Sequence, residues 1–158
     1  MKFDIDFIDE QVTNYFLTKV DDFCEKYPDR AGSMVGDFMT TKNLFIQSHD
    51  DNFHEMVDAI KSVIEKKINK ELMYRYVHMV DYTGGGELLV HAHDHIEDYV
   101  YILYLNTCED GATYFVEDDQ ELEVFPEANK LVHYSASLPH GARYSSTKKV
   151  LVGGLVFP

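Results

Sequence analysis

Six of the eight histidines in this chain lie between His78 and His140. The densest patch is Val90-His91-Ala92-His93-Asp94-His95-Ile96-Glu97. On a strand, residues i and i+2 project from one face, about 7 Å apart along the backbone. His91 and His93, at the end of a strand, can therefore converge on one point. A borderline divalent ion takes such an imidazole pair together with a third ligand from another strand. His140, in Leu138-Pro139-His140-Gly141, is the natural third, two strands later. The competing interpretation is that clustered histidines in an exposed loop are solvated and idle. His78 and His133 read as structural residues, and His49 and His54 as surface residues.

Such a cluster needs a scaffold, and the chain supplies two kinds of element. The first 70 residues are helical in pattern. Val12, Tyr15, Phe16, Val20 and Phe23 recur at helical spacing and predict a helix from Asp9 to Glu25, capped by Asp9 and ended at Tyr27-Pro28. Asn52 with Glu55 is a capping-box pattern. It opens a second helix whose stripe is Phe53, Met56, Val57, Ile60, Val63, Ile64 and Ile68. The lysines from Lys61 to Lys70 suit its C-terminal end. From Glu71 the period becomes two. Strands are predicted over 72–82, 87–93, 99–106, 112–117, 121–125, 131–135 and 149–157. Turns fall at Gly84-Gly85-Gly86, at Asp118-Asp119-Gln120 and at Pro126 to Lys130, where Asn129 suits a left-handed backbone. This pattern predicts an antiparallel sandwich or barrel with two helices over one sheet.

The chain has 158 residues, 45% of them apolar, which fits one domain with a core of its own. Its net charge of −14 works against binding to nucleic acid or anionic membranes. No apolar run approaches the roughly 20 residues of a membrane span. Met1-Lys2-Phe3-Asp4 lacks a basic leader. Two cysteines, Cys24 and Cys108, make no disulfide framework, and the expected setting is reducing and cytoplasmic.

Over residues 72 to 157 the sequence resembles the Fe(II)- and 2-oxoglutarate-dependent oxygenases in their short prolyl-hydroxylase-like form. The run from Tyr82 through Gly85 and Leu88 to His91 matches that family's approach to its first iron ligand. Tyr101-Ile102-Leu103-Tyr104-Leu105-Asn106 looks like its LYLN strand, and Gly111-Ala112-Thr113-Tyr114-Phe115 like its G-x-T-x-F strand. Phe125-Pro126 to Leu131-Val132 resembles its P-x-x-G-x-L-V turn, with Asn129 in place of Gly. His140 then falls at the spacing of the distal ligand. Lys149 follows nine residues later, where the family carries a basic residue for the far carboxylate of 2-oxoglutarate.

The resemblance implies a double-stranded β-helix, or jelly roll, in which residues 1–70 form a helical support region and 71–158 the catalytic core. It implies Fe(II) as cofactor, and 2-oxoglutarate and molecular oxygen as co-substrates. A small molecule or a protein or peptide side chain would be the substrate. Tyr82, Tyr101 and Tyr104 are candidate cofactor-pocket residues beside Lys149. Lys148 is the alternative anchor, because strand parity decides which lysine points inward. One departure matters. Where the family reads H-x-D/E, this chain reads His91-Ala92-His93. His93 as ligand, Asp94 supplying the carboxylate, or a slip of register to His95-Ile96-Glu97 are the three ways to complete the site. The slip breaks the spacing from Tyr82. The substitution also leaves room for two other functions: a three-histidine dioxygenase that ignores 2-oxoglutarate, and a non-catalytic jelly-roll binding module.

Overall fold

The structure, a computed structural model, describes residues 1–26, 39–41, 51–93 and 96–158. In chain order these form β1 (Phe3–Phe7), α1 (Glu10–Lys26), β2 (Met39–Thr41), α2 (Asp51–Ile68), β3 (Met73–Asp81), β4 (Gly86–His91), β5 (Tyr99–Tyr104), β6 (Thr113–Glu117), β7 (Gln120–Val124), β8 (Lys130–Ser135), β9 (His140–Ser145) and β10 (Lys149–Val156). The strands make two antiparallel sheets. One has six strands in the order β1-β8-β5-β10-β3-β2, the other four in the order β4-β9-β6-β7.

Both helices form where the apolar spacing predicts. The Asp9 carboxylate accepts the Gln11 amide at 2.8 Å and caps α1. Val12, Phe16 and Val20 are buried, as are Phe53, Val57, Ile60 and Ile64 of α2. Asn69, at φ 56°, closes α2 in the left-handed conformation that ends many helices. The predicted stop at Tyr27-Pro28 lies outside the described residues, as does His49.

The sequence pattern predicts seven strands, and among the described residues there are ten. Seven match within a residue or two at most ends. The missed ones have physical reasons. In β1 only Phe3 of five residues is buried, because the strand lies at the sheet edge against β8. β2 has three residues, too few to show a period. β9 begins His140-Gly141-Ala142, which carries no β-branched or large apolar residue. β1 and β2 also mean that the first 70 residues are more than helical support, since both strands extend the six-stranded sheet.

Alternation along the strands separates two cores. On β10, Leu151 and Leu155 pack with the helices, while Val150 and Val152 face the four-stranded sheet. On β5, Tyr101 and Leu103 join the helix side, and Val100, Ile102 and Tyr104 the inner side. Each fully buried aliphatic side chain contributes about 1.5–3 kcal/mol. The predicted turns form: Gly84 and Gly85 have φ of 99° and 92°, and Asn129 has 76°. Asp118 and Asp119, both at positive φ, make the two-residue hairpin between β6 and β7.

A candidate metal centre between the sheets

β4 and β9 are antiparallel neighbours, and their register sets His91 directly against His140. β4 is irregular between Gly86 and Leu88 and again before His91, which bends its end. Gly141 follows His140 because a Cβ there would sit 2.4 Å from the Tyr114 ring. His93 arrives differently from the expected strand alternation. β4 ends at His91, and His93 lies just past it, where its amide donates to the Ala136 carbonyl at 2.8 Å. The three rings nevertheless meet. Their centroids lie 4.5 Å apart for His91 and His140, 4.7 Å for His91 and His93, and 5.1 Å for His93 and His140. One ligand nitrogen from each lies within 4.8 Å of the other two. Asp94, the alternative carboxylate ligand, and His95 lie outside the described residues.

The outer nitrogens are all engaged. His91 Nδ1 meets the Leu89 carbonyl at 2.8 Å, and His140 Nδ1 the Leu138 carbonyl at 2.9 Å. A carbonyl only accepts, so both rings carry their proton on Nδ1 and leave the Nε2 lone pair free. Burial pushes His140 down to about 4; the Leu138 carbonyl opposes this, and His91 and His93 add to it. The neutral imidazole that a metal requires is thus the resting form. His93 Nδ1 lies 2.8 Å from Glu97 Oε1, and its Nε2 is buried with no hydrogen-bond partner. Sequence reading offered Glu97 only as a direct ligand in the slipped His95-Ile96-Glu97 register; the position behind His93 was signalled by its i+4 spacing.

A cavity of about 90 Å³ opens beside the histidines, lined by Tyr82, Thr113, Tyr134, Lys148, Val150 and Val152 among others. The two adjacent lysines part here. Lys149 Nζ turns to the helix side and pairs with Asp21 of α1 at 2.7 Å. Lys148 points into the cavity and is 2% exposed. Its Nζ donates to the Gly111 carbonyl at 2.8 Å and lies 4.2 Å from the centre of the Tyr82 ring. The expectation that Lys149 lines the pocket is therefore corrected in favour of Lys148, because strand parity puts alternate residues on opposite faces. Its backbone amide bonds Ser145 Oγ at 3.1 Å, so it enters near the end of β9 remote from His140. Burial brings Lys148 down to about 8, with Cys108 and Asp110 opposing.

Of the three expected tyrosines, only Tyr82 lines the cavity. Tyr104 lies in the same inner core but bonds Thr113 Oγ1 at 2.5 Å behind the lining. Tyr101 is corrected outright: it is on the helix side, with its hydroxyl 3.0 Å from that of Tyr74. Tyr134 was missed by sequence reading, and it packs on His140 with centroids 4.8 Å apart. His133, read as structural, is held by Asp6 at 2.7 Å and Tyr99 at 2.8 Å.

No family model matches the sequence, and no curated protein is similar to it in sequence. Solved structures do share its fold. A Pseudomonas putida prolyl-4-hydroxylase superposes with a TM-score of 0.73 at 15% identity, over 99% of this chain and 93% of that one. HygX from Streptomyces hygroscopicus, solved with nickel, 2-oxoglutarate and hygromycin B bound, gives 0.77 at 13%, over 98% and 82%. The 2-oxoglutarate complex of a viral collagen prolyl hydroxylase from Paramecium Bursaria Chlorella virus-1 gives 0.69 at 12%, over 98% and 95%. The structural neighbours thus include Fe(II)- and 2-oxoglutarate-dependent oxygenases. Among the described residues, no helix is long and apolar enough to cross a membrane.

The residues fit both groups that such a fold would hold. A buried imidazole nitrogen without a partner, next to two others with free lone pairs, is a donor set for a divalent ion. A buried ammonium bonded to one carbonyl has donors left for a carboxylate.

Proposed function

We propose that the chain is an Fe(II)- and 2-oxoglutarate-dependent dioxygenase with a jelly-roll core, a hydroxylase in the broad sense. The observation that carries this reading is the His91, His93 and His140 cluster beside a cavity into which Lys148 projects. In this reading residues 71–158 are the catalytic core of a single domain, and residues 1–70 its support. His91, His93 and His140 would hold Fe(II). The chemistry such a centre would supply is oxidative decarboxylation of 2-oxoglutarate by oxygen, coupled to oxidation of a substrate.

The chain's own residues bind, orient and exclude. The backbone carbonyls behind His91 and His140 hold those rings in one tautomer and aim Nε2 inward. Lys148 binds the far carboxylate of 2-oxoglutarate as a charge-assisted hydrogen bond. Tyr82 flanks that ammonium, and Val150 and Val152 keep water from the co-substrate's chain. Asp94 keeps its place as an alternative ligand. The substrate is a small molecule or a protein or peptide side chain, and the fit to nucleic acid or a membrane surface is poor at a net charge of −14. A cytoplasmic location is proposed on the two cysteines alone.

His93 in place of a carboxylate favours a second reading, a three-histidine dioxygenase that does not use 2-oxoglutarate. An anaerobic titration separates them. Metal-free protein takes up Fe(II), then 2-oxoglutarate, and a visible charge-transfer band is sought. A band in wild type, absent in His91→Ala and His140→Ala, supports the first reading. Tight iron binding without a band supports the second. Failure to bind iron leaves a non-catalytic jelly-roll module.

A further inference from the structure

We propose that Glu97 is a positioning residue of the metal centre: acting through His93, it supplies the carboxylate charge that three neutral imidazoles lack. The inference rests on the metal-binding reading above and deepens it. Three observations carry it. First, the three histidines are not equivalent. His91 and His140 lean on backbone carbonyls, whereas His93 alone leans on a carboxylate. A carboxylate behind an imidazole raises its basicity and fixes its tautomer more strongly than a neutral carbonyl does.

Second, the Glu97 side chain is 0% exposed, yet it is only half satisfied. Oε1 accepts from His93 Nδ1 at 2.8 Å and from the Tyr76 hydroxyl at 2.7 Å. Oε2 is buried with no hydrogen-bond partner, and so is His93 Nε2. A buried carboxylate and a buried imidazole nitrogen, each with an orphan atom, are costly as they stand. A cation on His93 Nε2 would occupy the orphan nitrogen and give the buried carboxylate a counter-charge through the ring that Oε1 already holds.

Third, the backbone is arranged to make the pair. The amides of Ile96 and Glu97 both point back to the His93 carbonyl, at 3.0 and 3.4 Å. That single turn lays the i+4 carboxylate against the i imidazole. The Tyr76 hydroxyl, from β3, then fixes the carboxylate from the opposite sheet. The acid that the His91-Ala92-His93 run lacks is therefore present one layer out.

The test uses cobalt(II), whose visible bands report the ligand field without any turnover. Metal-free wild type and Glu97→Gln are titrated against a competing chelator. Glutamine keeps an acceptor oxygen for His93 and for Tyr76, removes the charge, and puts an amide NH2 in place of Oε2. The expected result is a roughly 10- to 100-fold loss of cobalt affinity with shifted bands. Tyr76→Phe, which leaves the charge in place, is expected to change affinity by no more than about threefold. With Fe(II) and 2-oxoglutarate loaded, the charge-transfer band of Glu97→Gln should also lie at shorter wavelength than that of wild type, because a less electron-rich iron gives up its electron less readily.

Should Glu97→Gln not fold, wild type alone decides. In the zinc-loaded protein the His93 Nδ1 proton should resonate further downfield, and exchange more slowly, than those of His91 and His140. Equal cobalt affinities and spectra, or three equivalent ring protons, would overturn the role of Glu97 while leaving the oxygenase reading intact. Metal binding with no charge-transfer band when 2-oxoglutarate is added to the Fe(II) form would sink the 2-oxoglutarate reading, and the cobalt affinity difference would still decide on Glu97. No cobalt binding by wild type would overturn both.

Discussion

The six-stranded sheet presents two faces built from the same strands, and they differ in whether they close. On the helix side, Val77, Tyr101, Leu103, Leu151 and Leu155 pack against α1 and α2. Polar groups there bond one another: the Tyr74 hydroxyl donates to the Val57 carbonyl at 2.6 Å and meets Tyr101 at 3.0 Å, and His133 is held by Asp6 and Tyr99. On the other side, Tyr82, Val150 and Val152 leave a cavity and carry a buried lysine. Both faces are apolar and rich in tyrosine. What separates them is what covers them: two helices on one side, and on the other a cavity with a buried lysine beside three histidines. Buried atoms without a partner occur on both sides: Thr13 Oγ1 on α1, and His93 Nε2 and Glu97 Oε2 beside the cavity.

The strongest way to break this contrast is to remove one histidine from each face. His140→Ala on the cavity side should weaken divalent-metal binding by more than about 100-fold, measured by chelator competition. His133→Ala on the helix side should leave metal affinity unchanged. It should instead cost about 1–3 kcal/mol of stability, because Asp6 and Tyr99 lose a shared partner. A metal defect in His133→Ala would mean that the two faces are coupled and not separate.

Next in size is a packing test on adjacent residues. Leu151 is fully buried on the helix side, so Leu151→Ala should cost about 2–5 kcal/mol in denaturant melts. Val152 lines the cavity and is partly exposed, so Val152→Ala should cost well under half of that. Neither change should alter metal affinity. A larger loss for Val152 would show that the open face is as tightly packed as the closed one.

The alternation that makes this test possible was also what the sequence showed best. Leu72 to Tyr82 and Tyr99 to Asn106 announced strands, and the stripe from Phe53 to Ile68 announced a helix, because burial imposes a period on apolar residues. His91 and His140 were legible for a different reason: rare ionisable residues stand out at fixed positions among apolar ones. What could not be read was which face each residue takes where two faces are equally apolar. Tyr101 and Lys149 were misplaced for that reason. His93 does stand beside His91, but not by strand alternation, since the strand stops at His91. Glu97 was named only as a direct ligand in a slipped register; its place behind His93 was hidden because it depends on Tyr76, which is 21 residues away in sequence.

A third prediction concerns the co-substrate. Lys148→Met should weaken 2-oxoglutarate binding by about 10- to 100-fold, the worth of one hydrogen bond between charged groups, and leave metal affinity alone. The pH dependence has a definite sign. Burial holds Lys148 at about 8, below its ordinary value, and a bound carboxylate favours the protonated amine. Below that pH the free protein already carries the proton, so affinity is flat. Above it, binding must take up a proton, and affinity falls by up to about tenfold per pH unit. Isothermal titration in buffers of different ionisation heat reads both the affinity and the proton uptake. No uptake at pH 9 would remove Lys148 from the site.

The smallest effect is the most discriminating. Lys149 pairs with Asp21 across a surface where the two side chains are 24% and 53% exposed. Such a pair is worth at most about 1 kcal/mol, so Lys149→Met should lower Tm by no more than about 4 °C. Its 2-oxoglutarate affinity should match wild type, and Lys148→Met/Lys149→Met should bind no more weakly than Lys148→Met alone. The two residues are adjacent in the chain, so additivity between them is not guaranteed by distance. It is expected because their side chains lie on opposite faces of β10, with the sheet itself between them. A loss of 2-oxoglutarate affinity in Lys149→Met would reverse the parity of β10, and with it the assignment of every residue from Lys148 to Val152 to the open or the closed face.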